Sequence, residues 1–384
     1  MLSYWERQSF TSYDHIVVGS GIVGVSVAIG LKETFPAARV LVLERGLLPT
    51  GATTRNAGFA CMGSATELLA DLALHSEEEV VALFVRRKRG LGLLRQRLSD
   101  EALGYRADGG YELIAQQDIA VMDRLDYLNE LLRPHLGTDA FRPANERISD
   151  FGFAAQYVSA LIENTCEGSI DSGKAMRSLI VLAMSKGVEI KTGAEVLRFA
   201  DEGDSVTIEV ADPFRREALI LKSATLSICT NAFAAQLLPG EDVIPGRGQV
   251  LITKPVPGLR FKGIFHYDAG YYYFREIDGR VLLGGGRNLD FEGEKTTAFA
   301  LNEPIQKDLE QKLRDMILPG QHFEIDMRWA GIMAFGQTKA PIIKAFSERV
   351  FGAFRMGGMG VALGSLAASE MTSLIAGARD AARR

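Results

Sequence analysis

Three glycines and a carboxylate are the first residues in this chain whose types and spacing could do chemistry. Gly19, Gly21 and Gly24 stand in G-x-G-x-x-G spacing after the apolar run His15–Val18, and Glu44 ends a second apolar run twenty residues after Gly24. In such a unit the first glycine permits a tight turn off a strand. The second lets a pyrophosphate reach the backbone with no Cβ in the way, and the third lets the helix pack closely on the strand. The N–H groups at the start of that helix, around Ile22 and Val23, face an anion with the helix dipole behind them. Glu44 accepts hydrogen bonds from ribose hydroxyls and disfavours a 2′-phosphate. The expected ligand is therefore a dinucleotide, with Glu44 and Arg45 at its ribose end.

The next block, Gly51-Ala52-Thr53-Thr54-Arg55-Asn56-Ala57-Gly58, offers small residues and hydroxyl donors for close approach to phosphate or ring oxygens. It resembles the G-A-S-x-R-N-x-G segment of the FAD-dependent D-amino-acid oxidase superfamily, which includes glycine oxidase, sarcosine oxidase and related amine dehydrogenases. Thr53 stands where serine is usual. Thr230-Asn231-Ala232 resembles that family's A-T-G-A turn, Arg247-Gly248-Gln249 its R-G-Q segment, and the stretch from Trp329 to Ile343 its W-A-G-x-x-P signature. Asn231 replaces the usual glycine, and asparagine also tolerates a left-handed backbone.

The resemblance implies that FAD lies along Gly51 to Gly58, that Val196 meets the adenine through its main chain, and that Thr230 and Asn231 pass the cofactor. It also implies that Gly331, Gly358, Met359, Gly360 and Val361 meet the flavin, with a helix N-terminus stabilising the reduced ring. No cysteine or histidine sits between Trp329 and Pro341, so non-covalent FAD is expected. The implied reaction passes a hydride from carbon to flavin N5, and no general base is assigned. The main departure is Met333, where the glycine-oxidase-like branch has an arginine for the substrate carboxylate. Methionine cannot form a bidentate ion pair. Arg287, Arg55 and Lys339 are alternative carboxylate ligands, and Tyr272 is a candidate pocket wall. His266 reads as a satisfied core or surface histidine.

The elements that must position these residues follow from apolar patterning. His15–Val18 and Arg39–Leu43 read as buried parallel strands around a helix from Ile22 to Lys32. Residues 1–65, 151–240 and 326–384 are expected to build the cofactor part, 66–150 an insert contributing to the substrate part, and 241–325 its sheet. The expected fold class is α/β: a Rossmann-like FAD-binding domain with a second substrate domain on a mainly antiparallel sheet. Two antiparallel strands, Val206–Glu209 and Ala218–Leu221, are expected before a parallel strand Ala224–Cys229. A helix is expected from Asn302 to Ile317. The basic run Arg86-Arg87-Lys88-Arg89 reads as a solvated helix face.

Composition narrows the function further. A net charge of −5 argues against a nucleic-acid surface. No uninterrupted apolar run reaches 18 residues and the first ten lack a signal-peptide core, so neither a membrane span nor secretion is expected. Three isolated cysteines offer no metal-ligand spacing and suit a reduced, cytoplasmic protein. The expected activity is FAD-dependent oxidation of a C–N bond in an amino acid or secondary amine, with oxygen or another acceptor taking the electrons. A 2-hydroxy acid dehydrogenase or a flavin-binding subunit that needs a partner are the alternatives, and oligomeric state is open.

Overall fold

Strand Ser12–Val18 is central because its stretch from His15 to Val18 is buried without interruption and ends in three apolar residues, as a strand covered on both faces requires. In the computed structural model, which describes residues 1–214 and 217–383, it pairs in parallel with Leu219–Ile228 on one side and Val40–Glu44 on the other. The sheet continues through Glu189–Thr192 at one edge and Val350–Phe354 and Ile342–Ala345 at the other. Only the Ile342–Ala345 pairing breaks the parallel run along this path. Helix Ile22–Thr34 leaves the first strand immediately and is buried along most of its length.

The two strands expected around residue 222 are one. Leu219–Ile228 runs ten residues, pairing antiparallel with Val206–Val210 over Leu219 to Ser223 and parallel with Ser12–Val18 from Lys222 onward. Lys222 and Ser223 do not break it because only its first part has a solvated face.

The second sheet has eight strands, and all but one of its pairings are antiparallel. Its order is Ile325–Phe335, Ile244–Thr253, Arg280–Gly285, Tyr272–Ile277, Ile264–Tyr267, Gly110–Ile114, Ala160–Asn164 and Phe141–Pro143. Ala160–Asn164 and most of Ile325–Phe335 come from stretches expected in the cofactor part. Helix Glu303–Lys312, ending in the wider turn Leu313–Ile317, covers one face with a phenylalanine-rich core. The other face meets the loop that follows Val40–Glu44.

The C-terminal helix Gly360–Arg383 packs on Ile22–Thr34 and Glu77–Leu98. A Cβ on Gly90 would lie 2.1 Å from the Ala362 carbonyl oxygen, so these helices touch backbone to backbone. Its portion Gly360–Arg379 is long and apolar enough to cross a membrane, which the absence of an uninterrupted apolar run did not disclose; 61% of its most apolar window is buried here. The basic run on Glu77–Leu98 is only partly a solvated face. Arg87 is buried, donating to the Met62 carbonyl at 2.6 Å and pairing with Glu67 at 3.5 Å.

Candidate functional site

The glycine turn is built without spare room. Gly19 has φ +101° and its Cβ would lie 2.8 Å from the Cys229 carbonyl oxygen; a Cβ on Gly24 would lie 1.9 Å from the Gly19 oxygen. Gly21 caps the helix with no side chain, and the Ile22 N–H donates to Thr53 Oγ1 at 3.0 Å. That hydroxyl donates to no acceptor among the described residues, which would leave its proton for a phosphate oxygen. Glu44 is buried, accepting from Ser20 N at 3.0 Å, Ser20 Oγ at 2.9 Å and Gly46 N at 2.9 Å. Ser20, between the first two glycines, was not singled out from the sequence, although its hydroxyl was the available signal. Arg45 stacks 3.7 Å over Phe233, joining the acid's strand to the turn after Thr230. Val196 is buried at the start of Val196–Asp201.

The block Gly51 to Gly58 forms a short helix, Ala52–Arg55, and an extended exit. Asn56 shapes it: Nδ2 donates to the Ala52 and Thr53 carbonyls, and Oδ1 accepts from Gly58 N at 2.7 Å and Ser172 Oγ at 2.6 Å. Thr54 Oγ1 donates to the Pro49 carbonyl at 2.5 Å. Arg275, from the second sheet, donates to the carbonyls of Gly58 at 3.0 Å and Ile170 at 2.8 Å. Burial there pushes its guanidinium down to about 10. Trp329 Nε1 donates to the Arg55 carbonyl at 3.0 Å, and a Cβ on Gly331 would lie 3.2 Å from Arg55 Cβ. The tryptophan and glycine of the C-terminal signature thus dock on the cofactor loop.

Asn231 takes the left-handed conformation expected of it, φ +47°, and its carboxamide adds what glycine lacks. Oδ1 accepts from Arg355 N at 3.1 Å and Met356 N at 3.2 Å, fixing the approach to Gly357, Gly358 and Met359. Arg355, also at positive φ, hydrogen-bonds Asp242, Thr338 and Ala340 and was not anticipated. Thr230 Oγ1 is buried without a partner among the described residues. That orphan hydroxyl, the glycine turn and the open helix N-terminus fit FAD, which these residues would hold along Gly19 to Gly24, Thr53, Thr230 and the start of Gly360–Arg383.

Facing them, the second sheet presents one row of side chains. Cross-strand partners share a face, and the register links Val250, Gly284, Tyr273, His266 and Glu112 in succession. Gly246 opposite Met333 and Gly248 opposite Gly331 lie on that same face further along. Tyr273 therefore faces the cofactor loop, packing edge-on against Phe59 with ring centroids 5.7 Å apart. Burial pushes its phenol up to about 12. Tyr272, the residue expected from the sequence, is turned to the opposite face, into the core with Phe265, Phe274 and Leu309.

The cations expected near the substrate are used very differently. Arg55 donates to the carbonyls of Thr50 at 3.1 Å and Ala330 at 3.0 Å and stacks on Phe299. Lys339 is tied to Glu67 at 2.8 Å and Asp71 at 2.7 Å. Arg287 has no hydrogen-bond or ion-pair partner among the described residues. Its guanidinium lies between Phe335 at 4.1 Å and Phe291 at 4.9 Å, and half-burial lowers its pKa. A Cβ on Gly246 would sit 3.4 Å from its Nη1, so Arg287 shares the face that carries Met333. Arg247 and Gln249 of the R-G-Q segment do not face a ligand. Glu294, fully buried, binds Arg247 at 2.7 and 2.9 Å and Gln249 at 3.1 Å.

A polar cluster lies beside this row. His266 Nε2 is 3.3 Å from Glu167 Oε2, both atoms buried, with the angle outside hydrogen-bond geometry. Glu167 Oε1 accepts from Met62 N at 2.7 Å and Gly63 N at 3.2 Å. Cys61, expected only as a small buried residue, approaches Met359 Sδ at 3.5 Å. The ligand atoms of Cys61, Glu167 and His266 lie within 4.8 Å of one another, a grouping invisible in the cysteine spacing. Burial opposes charge on His266, yet Glu167, Glu112 and Glu67 raise its pKa overall. Burial and Glu167 push the Cys61 thiol well up.

The family model for FAD dependent oxidoreductases, DAO, matches residues 14–374. L-2-hydroxyglutarate dehydrogenase of Escherichia coli K12 is 24% identical over 327 residues, 77% of this chain and 69% of that protein. Glycine oxidase from Bacillus cereus superposes with a TM-score of 0.76 at 16% identity, covering 95% of each chain. L-proline dehydrogenase from P. horikoshii does so with a TM-score of 0.75 at 18% identity, covering 95% of this chain and 93% of that one.

Proposed function

The chain belongs to the DAO family of FAD-dependent oxidoreductases, and on that premise we propose that it oxidises a small carboxylic acid at the carbon beside the carboxylate, foremost a 2-amino acid or its N-substituted relative. The observation that carries this reading is Arg287. It is the one expected carboxylate ligand without an acceptor among the described residues, half-buried between Phe335 and Phe291 beside the Met333 face. A planar guanidinium held between two rings is pre-organised for a bidentate carboxylate, which Met333 cannot bind.

Bound FAD supplies the two-electron sink for the hydride that leaves carbon. The chain's own residues do the rest. The N–H groups around Ile22, with Thr53 Oγ1, would hold the pyrophosphate, and Glu44 would take the ribose. The start of Gly360–Arg383 would favour negative charge on the flavin through its N–H groups and dipole. Tyr273, Phe59 and Met333 wall the pocket and exclude water.

A 2-hydroxy acid is the second reading. The buried His266–Glu167 pair favours it, because a hydroxyl must lose a proton as its carbon is oxidised, and so does the name of the Escherichia coli relative. Three unpaired cysteines suit a reducing compartment, and we place the protein in the cytoplasm on that ground. The test is an anaerobic titration of the holoprotein with matched acids: alanine and lactate, glutamate and 2-hydroxyglutarate, sarcosine and glycolate. Bleaching by an amino or N-methyl acid supports the first reading, and bleaching by the hydroxy acid alone moves the assignment to the second. Flavin bands indifferent to every carboxylate but bleached by a simple amine would sink the Arg287 argument. Repeating the active pair in air then shows whether oxygen takes the electrons.

A further inference from the structure

We infer that His266, oriented by Glu167, accepts the proton that the substrate's hydroxyl or ammonium group loses as its carbon is oxidised. This rests on the oxidation proposed above and adds a catalytic residue to it, with Glu167 as the positioning residue.

The argument begins with placement. His266 pairs with Tyr273 on one side and Glu112 on the other, so all three side chains share the face turned to the cofactor loop. Phe59, which follows that loop, packs edge-on against both His266 and Tyr273, at 5.3 and 5.7 Å between centroids. The imidazole therefore borders the same wall that encloses the oxidation site.

The second element is orientation. Glu167 is immobilised through Oε1 by two backbone N–H groups, which leaves Oε2 free 3.3 Å from His266 Nε2. A neutral imidazole with its proton on Nε2 satisfies that carboxylate and presents a lone pair at Nδ1. Nδ1 has no hydrogen-bond partner among the described residues. The 3.3 Å separation is longer than a formed hydrogen bond, as acid–base pairs often are without substrate. An apolar pair of the same size would serve the core equally well, so stability alone gives no reason for this one.

In the step itself, the O–H or N–H bond breaks and its proton joins Nδ1. The electron pair left on the heteroatom forms the new C=O or C=N bond. The hydride leaves carbon for the flavin, so two electrons and two protons depart in all. An amine that arrives neutral needs no acceptor, and the arrangement suits a hydroxyl or an ammonium.

Three carboxylates set the acid limit directly: Glu167, Glu112 and Glu67, with Arg87 and Lys339 acting on Glu67; Cys61, pushed well up by burial and Glu167, stays an uncharged thiol beside them. Burial lowers His266, but the glutamates win and its pKa rises. Below that raised value the ring is already charged and cannot accept a proton, so flavin reduction slows toward acid pH.

The test uses holoprotein with 15N-labelled histidine. The chain has five histidines, and His266 is assigned by the signal missing from His266→Asn. The expected neutral form carries its proton on Nε2. Glu167→Gln keeps an Oε1 acceptor for Met62 and Gly63 but turns an N–H toward Nε2, so it reverses the tautomer. Anaerobic reduction by the active acid then falls about 100-fold or more in both variants, with FAD content and near-ultraviolet circular dichroism unchanged. A wild-type proton on Nδ1, or a Glu167→Gln protein with unaltered tautomer and rate, overturns the inference. So does a stoichiometric metal ion in purified protein that His266→Asn loses, because the cluster with Cys61 is then a metal site. The tautomer arm needs no substrate. It decides the role of His266 even where no carboxylate bleaches the flavin, a result that counts against the proposed oxidation instead.

Discussion

Replacing Arg287 by methionine removes the one expected carboxylate ligand that makes no polar contact among the described residues. Its guanidinium stacks 4.1 Å over Phe335 and 4.9 Å over Phe291, contacts that methionine keeps in part as apolar packing. The loss to folding is therefore small, about 1 kcal/mol from the two cation–π contacts. The loss to binding is larger. A hydrogen bond to a charged partner contributes about 1.5–3 kcal/mol, which converts to a Kd raised about 10- to 150-fold. The assay is anaerobic stopped-flow reduction of the flavin, in which the concentration dependence gives Kd and the plateau gives the rate of hydride transfer. Arg287→Met should raise Kd for the acid and leave FAD content intact. The corresponding amide, which lacks the charge, should bind wild type and variant alike. Arg287→Lys keeps the charge but loses the fork and the stack, and should fall between them. An unchanged Kd for the acid, or an equal loss for acid and amide, would refute the reasoning.

Gly24→Ala sets a methyl group 1.9 Å from the Gly19 carbonyl oxygen; the expected product is a folded protein without bound FAD, read from the ratio of absorbance at 450 and 280 nm. Glu294→Ala strands the Arg247 guanidinium that it binds at 2.7 Å; denaturant unfolding should show a loss of about 3 kcal/mol, and a loss under 1 kcal/mol contradicts the view that this pair anchors the R-G-Q strand. His15 is buried between Thr225 and Arg379, and burial followed by the Arg379 charge lowers it to about 4 from an ordinary 6.5. The unfolded chain thus binds this proton first as pH falls, and stability drops from pH 6.5 downward until His15 itself charges near pH 4. Between pH 7 and pH 5 the drop is about 2 kcal/mol. His266 has the opposite sign, contributing stability below 6.5 that is lost as pH rises through its raised value. The measurement is therefore the wild-type slope of unfolding free energy against pH minus that of His15→Gln, with equal slopes counting against the assignment.

The cofactor half of this protein was legible because its determinants are local. Gly19, Gly21 and Gly24 sit within six residues, and the turn they make is a property of adjacent backbone, as is the left-handed conformation of Asn231. Met333 could be read as a departure because it lies inside a contiguous signature. The substrate side was not legible in the same way. In the run from Tyr271 to Phe274 the period of two says that neighbours face apart, and only the docked sheet decides that Tyr273 rather than Tyr272 meets the cofactor loop. Arg55, Lys339 and Arg287 are equivalent as letters; their partners, Ala330, Glu67 and Asp71 for the first two and a pair of rings for the third, come from distant segments. Arg87 lies in what reads as a solvated basic run, yet the packing of its helix buries it against Met62 and Glu67. Cys61, Glu167 and His266 are about a hundred residues apart in succession. No spacing rule joins them, because what brings them within 4.8 Å is the closure of one sheet over another's loop. Sequence alone determined the cofactor, since a phosphate cradle is made of consecutive backbone. Tertiary structure decided the chemistry opposite it, since charge and proton transfer depend on which side chains remain unpartnered once the two sheets have met.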